Sequence, residues 1–216
     1  MNISPLLHLS LRLLLLSSLT LLWNCGGDNQ KGRELNTDQL QKHALINEGT
    51  SLSLPISFFR LTQEEFLSGK GAEIYDQVFV EQFTDLLTAM SFEDAQLDLF
   101  VDTSNYEGLL LFVDTEYIDL NPSVGNALAS QVKQQNDAQQ AANPNLEITN
   151  MRTSLDSGSG KSIMRLKYKF SDAAYGLTNY RSIYFVSTLR KTFVVHEFSA
   201  TPRDVYDFLW SLQHDS

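Results

Sequence analysis

Apolar positions along this chain fall into three regimes. Leu13 to Leu22 is a leucine-rich run broken only by Ser17, Ser18 and Thr20. Residues 26–50 are then polar, rich in Gly, Asn, Gln and Lys, and read as a tether with a short helical piece around Asp38–Leu45. From Leu52 onward apolar residues alternate between a period of two and a period near 3.6, which separates strands from helices. Leu52-Ser53-Leu54-Pro55-Ile56-Ser57-Phe58 alternates as a strand, with Pro55 marking an edge or a break. Thr62-Gln63-Glu64-Glu65 has the form of a capping box opening a short helix that Gly69 ends. Ile74, Val78, Phe79, Phe83, Leu86, Leu87 and Met90 recur at helical spacing, predicting an amphipathic helix over 72–90 whose stripe packs into a core.

Two strands come next. In 97–102, Leu97, Leu99 and Val101 share a face, whereas 108–113 is apolar on both faces and belongs in the middle of a covered sheet. A hairpin through Ser104–Gly108 joins them. Asn121-Pro122 starts a helix running to about Ala142, with Val124, Leu128 and Val132 on one side and a polar far half. Leu146–Ser154, a turn at Gly158-Ser159-Gly160, and Met164, Leu166, Tyr168 and Phe170 alternating with Arg165, Lys167 and Lys169 give a strand pair. Tyr180–Leu189 and Thr192–Ser199 add two strands, with Arg190-Lys191 at the tip. Thr201-Pro202-Arg203-Asp204 reads as the capped start of a final helix carrying Val205, Phe208, Leu209 and Leu212. Consecutive antiparallel strands with helices at intervals predict an α+β domain over 51–216, mostly antiparallel sheet flanked by helices.

The leader changes the picture from fold to address. Residues 1–24 have the layout of a secretory signal peptide, and the apolar run is too short for a span of about 20 residues. Cys25 is the single cysteine and follows that run directly. Leu22-Trp23-Asn24-Cys25 resembles the lipobox of bacterial lipoproteins. Leu22 fits its first position, while Trp23 and Asn24 stand where small residues are usual. The resemblance implies cleavage before Cys25 and acylation of its thiol, with a membrane as partner. Two or more acyl chains give stable residence on a bilayer. Gly26 rather than Asp follows the cysteine, which by the enterobacterial sorting scheme implies the outer membrane. The other possibility is an ordinary signal peptide with an incidental cysteine.

Charge narrows the partners. The chain carries a net charge of −10, and loss of 1–24 removes Arg12 and no acidic residue. Such a body has no general attraction for nucleic acid or anionic lipid. At 43% hydrophobic and 11% aromatic it can bury a core. One cysteine leaves no disulfide framework.

Candidate chemistry is sparse. Gly158-Ser159-Gly160-Lys161-Ser162 ends like a phosphate-binding loop, but Leu155 stands where that loop needs glycine and a strand follows, so a hairpin turn is expected. His43, His196 and His214 are scattered, with no thiolate beside them, and no metal site is expected. An inward-facing His196 would need a hydrogen-bond partner. Asp98/Asp102 and Asp114/Glu116 could serve as acid and base or hold calcium, although carboxylates at strand ends are usually solvated. No catalytic or cofactor-binding set emerges. The basic stripe Arg165, Lys167 and Lys169 stands out on an acidic chain. It is either a solvated face that discourages edge pairing or the contact for an acidic partner.

The element order, with Leu52-Ser53-Leu54-Pro55-Ile56-Ser57-Phe58 near the start and Phe193-Val194-Val195-His196-Glu197-Phe198-Ser199-Ala200-Thr201-Pro202 near the end, resembles the PsbP/Mog1-like family over 51–213. The nearest look is to bacterial PsbP-related lipoproteins. The resemblance implies an α/β/α sandwich and an accessory or assembly role, and it supplies no catalytic residues. The helix at 72–90 departs from it, since a shorter connection is expected there. The expected function is a lipid-anchored, non-enzymatic binding or assembly module for another envelope protein. The alternatives are a carrier of a small apolar ligand, or a hydrolase.

Overall fold

The computed structural model describes residues 39–46, 49–68, 97–104 and 108–214. The leader, Cys25, Gly69 and the predicted helix at 72–90 lie outside the described residues.

Among the described residues, ten strands and three helices follow in order. They are β1 (Leu40–Ala44), β2 (Thr50–Pro55), β3 (Phe58–Leu61), α1 (Gln63–Leu67), β4 (Leu97–Asp102), β5 (Gly108–Thr115) and α2 (Pro122–Ala142). Then come β6 (Leu146–Gly158), β7 (Lys161–Asp172), β8 (Leu177–Ser187), β9 (Thr192–Ser199), α3 (Tyr206–Leu209) and β10 (Gln213–His214). Seven strands form one antiparallel sheet in the order β3-β4-β5-β9-β8-β7-β6, and β1-β2-β10 form a small second sheet. The fold is α+β and dominated by sheet.

Two expectations change at the start of this body. The polar stretch at 38–45 contains strand β1, not a helical piece, and it pairs with β2 from Leu40↔Pro55 to Ala44↔Ser51. Its alternation is weak because only Leu40 and His43 are partly covered. His43, placed in the tether from sequence, stacks edge-on against Phe100 at 5.1 Å. The single strand expected over 52–58 is two. β2 ends at Pro55, Ile56 and Ser57 turn, and β3 enters the large sheet. Pro55 therefore marks the break between sheets.

Two helix starts and the central strand are realised as read. Thr62 and Glu65 form both halves of the capping box on α1. Asn121 caps α2 by accepting from the Ser123 and Val124 amides, with Pro122 at its start. β5 lies inside the sheet and is buried on both faces. Leu109, Leu111 and Val113 join Leu99, Val101 and Phe198, while Leu110 and Phe112 join the main core.

The sheet has two differently covered faces. On one, Phe100, Phe112, Ile163, Tyr184 and Val195 meet Leu52 and Leu54 of the small sheet and Val205, Leu209 and Leu212 of the C-terminal segment. On the other, α2 lays Val124, Leu128 and Val132 over Met164, Leu166, Ile183 and Phe185. Val124, Leu128 and Val132 are the stripe read from sequence.

The last helix is shorter than expected. Residues 202–205 are irregular, and α3 is one turn with no side-chain cap. Thr201 does not cap it, because Asp204 is drawn away to partners on the sheet.

Candidate functional site

The register decides what shares a face. Arg165 pairs with Tyr184 and Tyr184 with Val195, while Lys167 pairs with Ser182 and Ser182 with Glu197. Cross-strand partners project to the same side. Arg165, Lys167 and Lys169 therefore stand in a row beside Tyr184, Ser182 and Glu197, on the face that the C-terminal segment crosses.

That segment delivers Asp204. Its Oδ2 lies 2.8 Å from Arg165 Nη1 and 2.5 Å from Lys167 Nζ, and its Oδ1 accepts from the Tyr206 amide at 3.0 Å. The Arg165 guanidinium also sits 4.6 Å above the Tyr206 ring. Burial acts to raise the Asp204 pKa, but the hydrogen bond and charge of Lys167, the Tyr206 amide and Arg165 outweigh it and hold the carboxyl below its ordinary range.

Behind Asp204 the chain buries a second carboxyl. The Tyr184 hydroxyl lies 2.6 Å from Glu197 Oε2 and 2.9 Å from Asp204 Oδ1. The phenol carries one hydrogen, which it donates to Glu197 Oε2 at the shorter contact, with Asp204 Oδ1 as a second acceptor within reach. Burial raises the Glu197 pKa, the Tyr184 hydrogen bond acts against that rise, and the charge of Asp204 adds to it. Burial, with the two carboxyls beside it, pushes the Tyr184 pKa well up, so the phenol keeps its proton.

Asp204 faces two cations, Arg165 and Lys167. One rung further along β7, Lys169 has no ion pair among the described residues. A cleft of about 130 Å³ opens there, lined by Lys167, Lys169, Tyr180, Ser182, Asn150 and Arg203. Asn150 sits at the bulge in β6 with φ 57. Arg203 forms the far wall and pairs with Asp102, which is fully buried. Gly108 makes room for that pair: a Cβ there would lie 2.8 Å from Arg203 Nη1. The cleft can hold a negatively charged group against ammonium, guanidinium and hydroxyl donors.

The three stripe residues thus share a face but not a state. Arg165 and Lys167 are engaged by the chain's own Asp204, and Lys169 opens onto the cleft. Asp98 and Asp102 are not solvated strand ends. They face inward on β4, 4% and 0% exposed, and pair with Arg60 and Arg203. His196 lies on the opposite face, parallel to the Phe198 ring at 6.4 Å. His214 Nδ1 meets the Thr50 hydroxyl at 2.8 Å. No group of three His, Cys, Asp or Glu side chains converges among the described residues, and no described helix is long and apolar enough to cross a membrane.

Tyr184, Glu197 and Asp204 were not singled out as a network from sequence. The available signal was parity: Ser182, Tyr184 and Glu197 are polar positions on the inward phase of two otherwise apolar strands.

No family model and no curated protein matches the sequence. Among solved structures, the chain is similar to the solution structure of cyanobacterial PsbP (CyanoP) from Synechocystis sp. PCC 6803. The match has 13% identity over 90% of this chain and 99% of that one, with a TM-score of 0.49.

Proposed function

We propose that the chain is a lipid-anchored bacterial envelope protein, held at the outer membrane through Cys25, that binds an acidic site on another envelope protein and acts as a non-enzymatic assembly module. In this reading the domain is a PsbP/Mog1-like α/β/α sandwich. The observation that carries the proposal is the cationic cleft. On a chain of net charge −10, one sheet face gathers Arg165, Lys167, Lys169 and Arg203, and Asp204 shows how a carboxylate is received there. Charge of that sign steers an acidic partner and rejects a basic one.

Cross-linking capture from membranes tests the proposal with the native chain, Cys25→Ala and Lys169→Glu. Labelled fatty acid should enter the native chain alone of the native and Cys25→Ala pair, and Cys25→Ala should leave the membrane on a high-salt wash. Lys169→Glu should stay on the membrane yet capture about tenfold less of the partner, as reversal of one steering charge implies. Equal capture by Lys169→Glu would remove the cleft from the reading. Membrane retention of Cys25→Ala without acylation of the native chain would remove the anchor.

A further inference from the structure

At the other end of β7, on the opposite face from the cleft, a larger cavity of about 420 Å³ lies between three loops. They are the segment from Tyr117 to Leu120 ahead of α2, the β6–β7 turn and the β8–β9 turn. Its size falls in the range of small-molecule sites, about 300–1,000 Å³. Buried Leu120 forms part of its lining, and Tyr117 and Leu189 stand at it 52% and 82% exposed. Leu189 lies over the turn, with its side chain 3.9 Å from where a Cβ on Gly160 would sit. Two of the chain's large exposed apolar side chains thus flank one cavity.

The rest of the lining is hydroxyl-rich and nearly uncharged. Ser157, Ser159, Ser162, Ser187 and Thr188 all contribute. Lys161 belongs to the lining, but its ammonium donates to the Trp210 carbonyl and is committed there. Burial lowers its pKa further. Asp119 is the other ionisable side chain besides the Tyr117 phenol. An anion would find a single ammonium here, already donating to the Trp210 carbonyl, and a metal would find one carboxylate. Ser157 and Ser162 bond each other, Ser187 donates to the Ile118 carbonyl and Thr188 to that of Lys191, so a purely apolar ligand would strip water from Ser159 and Asp119 without repaying their hydrogen bonds. The lining suits a neutral molecule with many hydroxyls and one apolar face.

We propose that this cavity binds a saccharide, with the C–H face of a pyranose ring against Tyr117 and Leu189 and its hydroxyls paired with Ser159, Asp119 and their neighbours. The site is separate from the cationic cleft and stands whether or not the cleft binds an acidic partner.

The test is an amide chemical-shift titration of the full mature chain with glucose, galactose and N-acetylglucosamine, each as monomer and trimer. Inorganic phosphate serves as the charged comparison. At least one saccharide should shift residues 117–120, 157–162 and 187–189 together and leave Lys169 and Arg203 unmoved. Raising salt from about 0.05 to 0.5 M should not weaken it, because no ion pair is screened. Tyr117→Ala should bind about tenfold more weakly, as loss of an aromatic stacking contact implies. Leu189→Ser, at an exposed tip, gives a second variant that should fold and also bind more weakly. The proposal fails if no saccharide shifts those residues, if both variants bind as the native chain does, or if phosphate alone perturbs the cavity.

Discussion

β7 carries Arg165 and Lys167 on one face of the sheet and β8 carries Arg181 on the other, and the two faces handle that charge by different means. On the face crossed by the C-terminal segment, Arg165 and Lys167 meet a carboxylate, Asp204. On the α2 face, Arg181 meets none among its described partners. Its guanidinium lies 3.6 Å from the centre of the Phe170 ring and 5.4 Å from that of Phe198, and Nε donates to Asn179 Oδ1 at 3.1 Å. Burial lowers the Arg181 pKa, while Tyr168 beside it acts the other way. Ring faces and amide oxygens soften a buried cation without cancelling it. The uncancelled charge acts on its neighbour: His196 is pushed from 6.5 to about 4 by burial first and by Arg181 second. One face is therefore balanced by an anion, and the other stays positive and excludes further protons.

Acid should separate the faces most strongly. The folded pKa of His196 lies below its unfolded value, so the unfolded chain takes up a proton in between. The stability that neutral His196 contributes is present above pH 6.5 and is lost as pH falls towards about 4. The full loss is about 3 kcal/mol at about 1.4 kcal/mol per pH unit. His43, lowered by burial and then by Arg60, acts in the same direction. Urea melts of the native chain and His196→Gln across this window should differ in slope. Equal slopes would show that His196 is not held neutral. Asp204 titrates in another window: its pKa is depressed below 3.8, so its contribution is present above 3.8 and disappears only at more acid pH.

Next in size is the loss of the anion. Asp204→Asn keeps the shape and leaves Arg165 and Lys167 facing each other without a carboxylate. With the Asp204 side chain 35% exposed, solvent screens part of the effect, and a cost of about 1–2 kcal/mol is expected. Tyr184→Phe should cost a similar amount, about 1–2 kcal/mol, by removing the hydrogen bond to the buried Glu197 carboxyl. A double-mutant cycle joining the two should be non-additive, because one hydroxyl links both groups. Additive costs would mean that the network is only a set of neighbours.

Most of the sheet was legible in the sequence because period-two alternation is a local property. Leu109 and Leu111 against Leu110 and Phe112 placed β5 inside the sheet before any partner strand was known. The capping box at Thr62 and the Asn121-Pro122 helix start were legible for the same reason. β1 was not, because Leu40–Ala44 is a mostly exposed edge strand with polar alternation, and its strand character comes from pairing with β2. Thr201-Pro202-Arg203-Asp204 has every local mark of a helix start, yet long-range contacts from Asp204 to Arg165 and Lys167 override them. The candidate site was half legible. The stripe on β7 is visible in the alternation, but the carboxylate that engages it lies 37 residues from Lys167 along the chain. The Tyr184 bridge to Glu197 and Asp204 is a consequence of three groups meeting that no spacing rule connects.

The smallest expected effects are the most discriminating. Arg181→Met removes a buried cation that no carboxylate balances, and should change stability by less than about 1 kcal/mol at neutral pH. It should also raise the His196 pKa, shrinking the acid loss described above. Glu197→Gln, on the other face, keeps an oxygen that accepts from the Tyr184 hydroxyl and should also cost less than about 1 kcal/mol. Its pH dependence carries the sign. A carboxyl whose folded pKa is raised above 4.5 contributes stability that is fully present below 4.5 and is lost as pH rises through the folded value. Glutamine has no such loss. The Gln variant should therefore gain on the native chain as pH rises above 4.5. If the native chain instead gains on the variant as pH rises, burial does not raise the Glu197 pKa in the fold, and the two faces differ less than their burial implies.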